Sequence, residues 1–189
     1  MARRTRAEME ETRASLLAVA RQVFSETGYA NASMDDLTAR AGLTRGALYH
    51  HFGDKQGLLA AVVAQIDGEM DERLKAISDQ ASTPWDGFRQ RCQAYLQMAL
   101  EPEIQRTVLR DARAVLGGVP CTEEQHCIAS MRGLIEQSPV IGVDAEALAR
   151  MVHGSLTEAA LWIASGEDGD ARLAQASAAL DRLLGGLLR

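Results

Sequence analysis

Between Ser33 and Phe52 the chain sets two short helix-forming runs on either side of Ala41-Gly42-Leu43, and no other feature narrows the fold as much. Ser33 precedes Met34, Asp35 and Asp36, a side-chain N-cap followed by acids in the first turn, and that run ends at Ala41-Gly42. Thr44 caps the next run, which continues through Phe52 until Gly53-Asp54 breaks it. Two short helices joined by a tight turn with a glycine form the pattern of a helix-turn-helix. Leu37, Leu43, Leu48 and Phe52 can lock the pair onto a preceding helix. With Leu48 and Phe52 four apart and pointing inward, Thr44, Arg45, Gly46, Tyr49 and His50 are left on the outer side. A glycine inside a helix costs about 1 kcal/mol relative to alanine. A purely structural helix has little reason to bear that cost, whereas a helix laid against a groove wall or a thymine methyl gains from the missing side chain.

The remainder reads as helix almost throughout. From Glu8 to Thr27 the residues Leu16, Leu17, Ala20, Val23 and Phe24 recur at three- and four-residue spacings, and Gly28 supplies a left-handed stop. Asp54 caps a long helix from Lys55 to about Gln80, with Leu58, Leu59, Val62, Val63, Ile66, Met70 and Leu74 on its buried face. Pro84-Trp85 opens a helix to about Leu100, and Glu101-Pro102 starts another to Leu116. After the break at Gly117-Gly118-Val119-Pro120, a further helix runs from Thr122 to Gln137. Two long helices, Asp144 to Ser165 and Gly169 to Arg189, close the chain.

A chain of 189 residues, 47% of them apolar, can fill a core without disulfides or metals. No window reaches the roughly 18 uninterrupted apolar residues of a membrane span, and the start, MARRTRAEMEETR, lacks a signal-peptide core, so a cytoplasmic protein is expected. The formal charge of −6 hides an asymmetry: residues 1–60 carry eight basic and seven acidic side chains, and the acidic excess lies in residues 61–189. A polyanion would meet the front end.

Here the segment SMDDLTARAGLTRGALYHHFGDKQGLLAAV resembles the DNA-binding signature of the tetracycline-repressor (TetR) family. Ser33, Leu37, Ala41, Gly42, Leu43, Thr44, Leu48, Tyr49, His51, Phe52, Lys55, Leu58 and Leu59 match it, and with the upstream ARQVFSETGYANAS the likeness covers roughly residues 10–60. The resemblance implies an all-α fold of about nine helices. A three-helix helix-turn-helix DNA-binding domain over residues 1–54 precedes a larger effector-binding and dimerisation domain over residues 55–189. It further implies that Thr44, Tyr49, His50, Lys55 and Ser33 hold phosphates of double-stranded operator DNA, with Arg45 and Gly46 facing base edges. Arginine at the start of a recognition helix most often reads guanine O6 and N7. His51, one position off the outer face, is mainly structural. The arginines of the N-terminal tail either enter a minor groove or belong to a solubilising tail.

One recognition helix spans only a few base pairs, and helix-turn-helix proteins commonly bind as two-fold dimers. The last two helices offer an interface: Leu148, Met151, Val152, Ser155, Leu156, Ala159, Trp162 and Ile163 form an apolar band wider than one core contact needs, matched by Leu173, Ala176, Ala179, Leu180, Leu183, Leu184 and Leu187. A four-helix bundle between subunits in a homodimer is expected, the alternative being an intramolecular hairpin. Residues 81–141 would hold a small-molecule effector, with Trp85, Phe88, Tyr95, Met98, Leu109, Met131, Ile135 and Trp162 as lining or as plain core. His153 and Glu158, in an otherwise apolar helix, either bond that ligand or meet the partner subunit.

Other classes find less in the sequence. No GxSxG, Walker loop, HExxH or paired-carboxylate constellation appears, so an enzyme is not expected, nor a cofactor. Cys121 and Cys127 flank His126, but the C-x4-H-C spacing does not match a zinc site. A redox-sensing regulator switched through Cys121 or Cys127 remains the alternative function.

Overall fold

The computed structural model describes residues 6–117, 121–140 and 142–188; the side chains of residues 121–123 and 188 lie outside that description. The described residues contain helices and no strand. The α-helices are α1 (Arg6–Thr27), α2 (Met34–Arg40), α3 (Arg45–Phe52), α4 (Lys55–Asp79), α5 (Pro84–Met98), α6 (Arg113–Leu116), α7 (Cys121–Glu136), α8 (Ala145–Ala164) and α9 (Gly169–Gly185). A π-helical stretch, Ile104–Ala112, leads into α6, and a 3-10 turn, Gly186–Leu188, follows α9. Two compact units divide the chain: Met1–Ile66 with Arg106–Val119, and Asp67–Gln105 with Pro120–Arg189.

In the first unit α1, α2 and α3 pack on one another. Leu16, Ala20, Val23 and Phe24 of α1, Leu37 of α2, Leu48 of α3 and Leu58, Leu59, Val62 and Val63 of α4 fill its core. The chain reverses at Gly28 (φ +79°), Gly42 (φ +63°) and Gly53 (φ +76°), left-handed conformations that glycine adopts without strain. Side chains start α2, α3 and α4. Ser33 Oγ accepts the Asp35 N–H at 3.2 Å, Thr44 Oγ1 that of Ala47 at 3.3 Å and Asp54 Oδ1 that of Gly57 at 2.7 Å.

The segment after Pro102 departs from expectation. The sequence predicts one continuous helix to Leu116, but its larger part winds as a π-helix with i→i+5 bonds before reverting to α. Ile104, Thr107, Val108, Leu109 and Ala112 are all buried, including three in a row, which is broader than one α-helical stripe. Arg106 of this stretch donates to Ser25 O at 3.2 Å and Glu26 O at 2.6 Å, satisfying carbonyls at the end of α1.

In the second unit α5 packs against α7, α8 and α9, α7 against α8, and α8 against α9. Phe88, Leu96, Met131, Ile163 and Leu184 are fully enclosed. Thr83 Oγ1 accepts the Asp86 N–H at 3.1 Å ahead of Pro84, and Asp144 Oδ1 accepts the Ala147 N–H at 2.8 Å. Arg172 finishes α8 from the next helix. It donates to Trp162 O at 2.7 Å and Ser165 Oγ at 3.1 Å, with its guanidinium 5.2 Å from the Trp162 ring centre. The last helix stops at Gly185 in place of Arg189, which lies outside the described residues.

Candidate functional site

Leu48 is completely enclosed, and that single anchor orients α3. Thr44, Arg45, Gly46, Tyr49 and His50 then share its exposed side, Tyr49 with 50% of its surface open. A side chain at Gly46 would find only Thr44 Oγ1, at 3.8 Å, so nothing within the protein demands glycine there. Phe52 is half-buried rather than enclosed, with the Arg13 guanidinium 5.5 Å from its ring centre. His51 is half-buried between the rings of His50 and Phe52, at 5.3 and 6.2 Å. Ser33 is exposed at the start of α2.

Lys55 is placed differently from its neighbours. Its Nζ lies 4.3 Å from the Tyr29 ring centre, and burial lowers its pKa while Asp111 acts in the opposite sense. Arg45 forms an ion pair from Nε to Asp35 Oδ1, a contact that helical periodicity could not reveal because it joins two helices across a turn. The bond lowers the Asp35 pKa and raises that of Arg45. One short helix thus presents a guanidinium, hydroxyls and an imidazole around a glycine gap, donors suited to phosphate oxygens and base edges in a major groove.

In the second unit the residues proposed from sequence for an effector scatter. Trp85, Phe88, Met98, Met131 and Ile135 are buried, Tyr95 and His153 half-buried, and Glu158 and Trp162 exposed; Leu109 is buried in the first unit. A cavity of about 10 Å³, room for a single water, brings Tyr95, Met131 and His153 together with Leu74, Arg91, Cys92, Cys127 and Leu156. Arg91 is the surprise among them, only 2% exposed. It pairs through Nη2 with Asp71 Oδ1 and donates through Nη1 to Ser130 Oγ at 3.1 Å, with Cys127 Sγ 3.8 Å from Nη2. His126 Nε2 approaches the other Asp71 oxygen at 3.4 Å. The missed signal was positional: Arg91 stands three residues after Phe88 and four before Tyr95, on the inward stripe of α5.

Burial governs the titration of this cavity. It lowers the pKa of His153 despite Glu124 Oε1 at 4.0 Å, and pushes the Tyr95 hydroxyl and Cys92 thiol each up to about 12. The Cys127 thiol is likewise pushed up by burial, away from the reactive thiolate. The Cys121 side chain lies outside the described residues. Among the described residues, no three His, Cys, Asp or Glu side chains are grouped to hold a metal ion, and no helix is long and apolar enough to cross a membrane.

The α8 and α9 bands divide into two edges. Leu148, Val152, Leu156, Ile163, Leu180 and Leu184 are buried, whereas Met151 (72% exposed), Trp162 (41%) and Leu183 (67%) face outward.

Known proteins share both halves of this arrangement. A family model of bacterial regulatory proteins, tetR family, matches residues 16–62, and one described as tetracyclin repressor-like, C-terminal domain, matches residues 85–187. A solved TetR-family transcriptional regulator from Pectobacterium atrosepticum is 70% identical, with a TM-score of 0.91 over 98% of both chains. The HTH-type transcriptional regulator SrpR of Pseudomonas putida is 47% identical over 64 residues, which cover 34% of this chain and 30% of that one. The HTH-type transcriptional repressor BepR of Brucella suis biovar 1 is 34% identical over 107 residues, covering 56% and 51%. The chain spans about half or less of the length of these curated relatives.

Proposed function

Because the chain belongs to the TetR family of transcriptional regulators, we propose that it is a cytoplasmic repressor that binds palindromic operator DNA as a homodimer and is released by a small-molecule effector. The observation that carries this reading is the exposed side of α3, where Thr44, Arg45, Gly46, Tyr49 and His50 stand clear around an enclosed Leu48. Arg45 and Gly46 take base edges; Thr44, Tyr49, His50, Ser33 and Lys55 take phosphates. Residues 1–54 recognise DNA, and residues 55–189 bind the effector and dimerise. The repressor sense is supported by the name of the relative BepR.

The outward apolar edge of Met151, Trp162 and Leu183 supports pairing through α8 and α9. Two recognition helices then meet major grooves about 34–36 Å apart. This cavity is too small for an organic effector as it stands; on this reading the effector widens it, and the wider form is the one that releases DNA. Coupling of about 1–3 kcal/mol changes operator affinity by roughly 5- to 150-fold. Tyr95, Met131 and His153 are the sequence candidates that meet this effector, with Arg91 beside them.

Selection of bound duplexes from a random library tests the reading, followed by footprinting of the enriched sequence. An inverted repeat with two protected half-sites is expected. Equal binding to every duplex at moderate salt would overturn it.

A further inference from the structure

The ion pair between Arg45 and Asp35 stands at the edge where DNA would lie. Arg45 opens α3 and Asp35 lies in the first turn of α2, with 61% and 62% of their side chains exposed. Exposed pairs of this kind contribute little to folding. A carboxylate beside a polyanion also opposes binding of every sequence, so affinity does not account for Asp35; its place in the first turn of α2 stabilises that helix through the helix dipole, which needs no pairing with Arg45. The geometry offers another reason. Asp35 engages Nε of Arg45, which leaves the Nη1 and Nη2 donors of the guanidinium for a second acceptor.

We propose that Asp35 is a positioning residue for specificity: it holds the Arg45 guanidinium with its terminal donors toward a guanine, and its charge penalises complexes in which Arg45 turns away. This rests on the reading of α3 as the base-reading helix. On a matching sequence Arg45 keeps both partners, the carboxylate at Nε and guanine O6 and N7 at the terminal nitrogens. On a mismatched sequence Arg45 reaches a phosphate only by abandoning Asp35, whose charge then faces DNA uncompensated. Asp35 therefore raises the ratio of specific to nonspecific binding while lowering nonspecific affinity itself.

The molecule contains its own control. Asp36 carries the same charge in the same turn but pairs with Arg40 Nε at 3.0 Å, and Arg40 also meets Glu26 at 3.5 Å. Neither residue lies on α3.

The test is fluorescence anisotropy of the full-length protein on its selected operator, with each half-site G·C pair replaced in turn by A·T. For the wild type, one replacement is expected to weaken binding roughly tenfold, the discrimination of a good arginine–guanine pair. R45A should erase that penalty. D35N should shrink it and bind random duplex more tightly than wild type, while D36N should bind random duplex more tightly and keep the penalty. D35E, which restores a carboxylate, should recover part of it. Melting curves of all four variants establish that each is folded. If R45A erases the guanine penalty and D35N retains it in full, Asp35 does not position Arg45 and the inference falls alone. If R45A itself retains the penalty, the base-reading role of Arg45 falls and the inference with it.

Discussion

The backbone N–H of Tyr29 donates to Asp111 Oδ2 at 2.7 Å, a bond between residues 82 positions apart. The turn after α1 offers this N–H no helical partner, and Gly28 just before it adopts a left-handed conformation; a Cβ there would meet the same carboxylate at 3.7 Å, an ordinary contact, so it is the backbone angle and not crowding that favours glycine. Replacing Asp111 by alanine leaves a part-buried donor unsatisfied, which costs about 1–3 kcal/mol. Urea denaturation of the full chain should show that loss in the midpoint, and Asp111→Asn, which keeps an acceptor oxygen, should recover most of it. Equal stability of Asp111→Ala and wild type would refute this account of the turn.

A second prediction concerns two glycines of one helix. A Cβ added at Gly57 would run into the carbonyl oxygen of Phe52, because the start of α4 lies directly against the end of α3. Gly57→Ala should therefore destabilise by about 1–3 kcal/mol, as overpacking usually does. Gly68 meets nothing within 4 Å, so Gly68→Ala should instead stabilise by roughly 0.5–1 kcal/mol. Opposite shifts of the two thermal midpoints are the expected result; shifts of the same sign would contradict it.

Helix ends were legible where a cap is a local event. Ser33, Thr44 and Asp144 each cap through their own side chain a few residues ahead, and Gly28 and Gly53 stop the chain by their own φ. The outer side of α3 followed as directly, since Leu48 inward leaves Arg45 and Tyr49 outward. The π-helical winding of Ile104–Ala112 was hidden, because Ile104, Val108 and Ala112 recur every four residues and suit an α-helix equally well. Pairings across space were hidden for a different reason: Arg45 with Asp35 and Arg91 with Asp71 depend on how helices meet, which no residue's own neighbourhood encodes.

Met151 and Leu183 bear on assembly. Both are large apolar side chains left in water by a single chain, and a partner helix would cover them. Met151→Glu combined with Leu183→Glu should shift the protein to a lone subunit in sedimentation velocity. In the proposed homodimer, operator affinity should fall in parallel, because a single recognition helix would lose its tethered twin. A double variant that still sediments as wild type does would move the interface elsewhere.

His153 should impose a pH dependence of definite sign. Burial holds its folded pKa below the ordinary value of 6.5, Arg150 acts in the same direction, and Glu124 opposes both. As pH falls through 6.5 the unfolded chain takes up a proton that the folded chain resists, so stability must fall on acidification. Above 6.5 both states carry a neutral imidazole and the effect vanishes. Thermal midpoints between pH 7.5 and 5.5 should therefore drop more for the wild type than for His153→Gln; parallel curves would mean that the imidazole is already solvated.

Arg91 and Asp71 form an ion pair with an almost fully enclosed guanidinium, and its two halves should fail unequally. Asp71→Ala strands a guanidinium that is 2% exposed, with Ser130 Oγ and the Cys127 thiol as its remaining partners. Breaking a buried pair from one side typically costs about 3–5 kcal/mol, because the surviving charge stays desolvated. Removing both charges is a different experiment: Arg91→Met with Asp71→Leu fills the space with apolar atoms and should return the chain close to wild-type stability. The comparison separates charge balance from packing in the wall of the cavity proposed for the effector. A double variant as unstable as Asp71→Ala would mean that the guanidinium is held there for its shape and hydrogen bonds to Ser130, not tolerated there by its carboxylate.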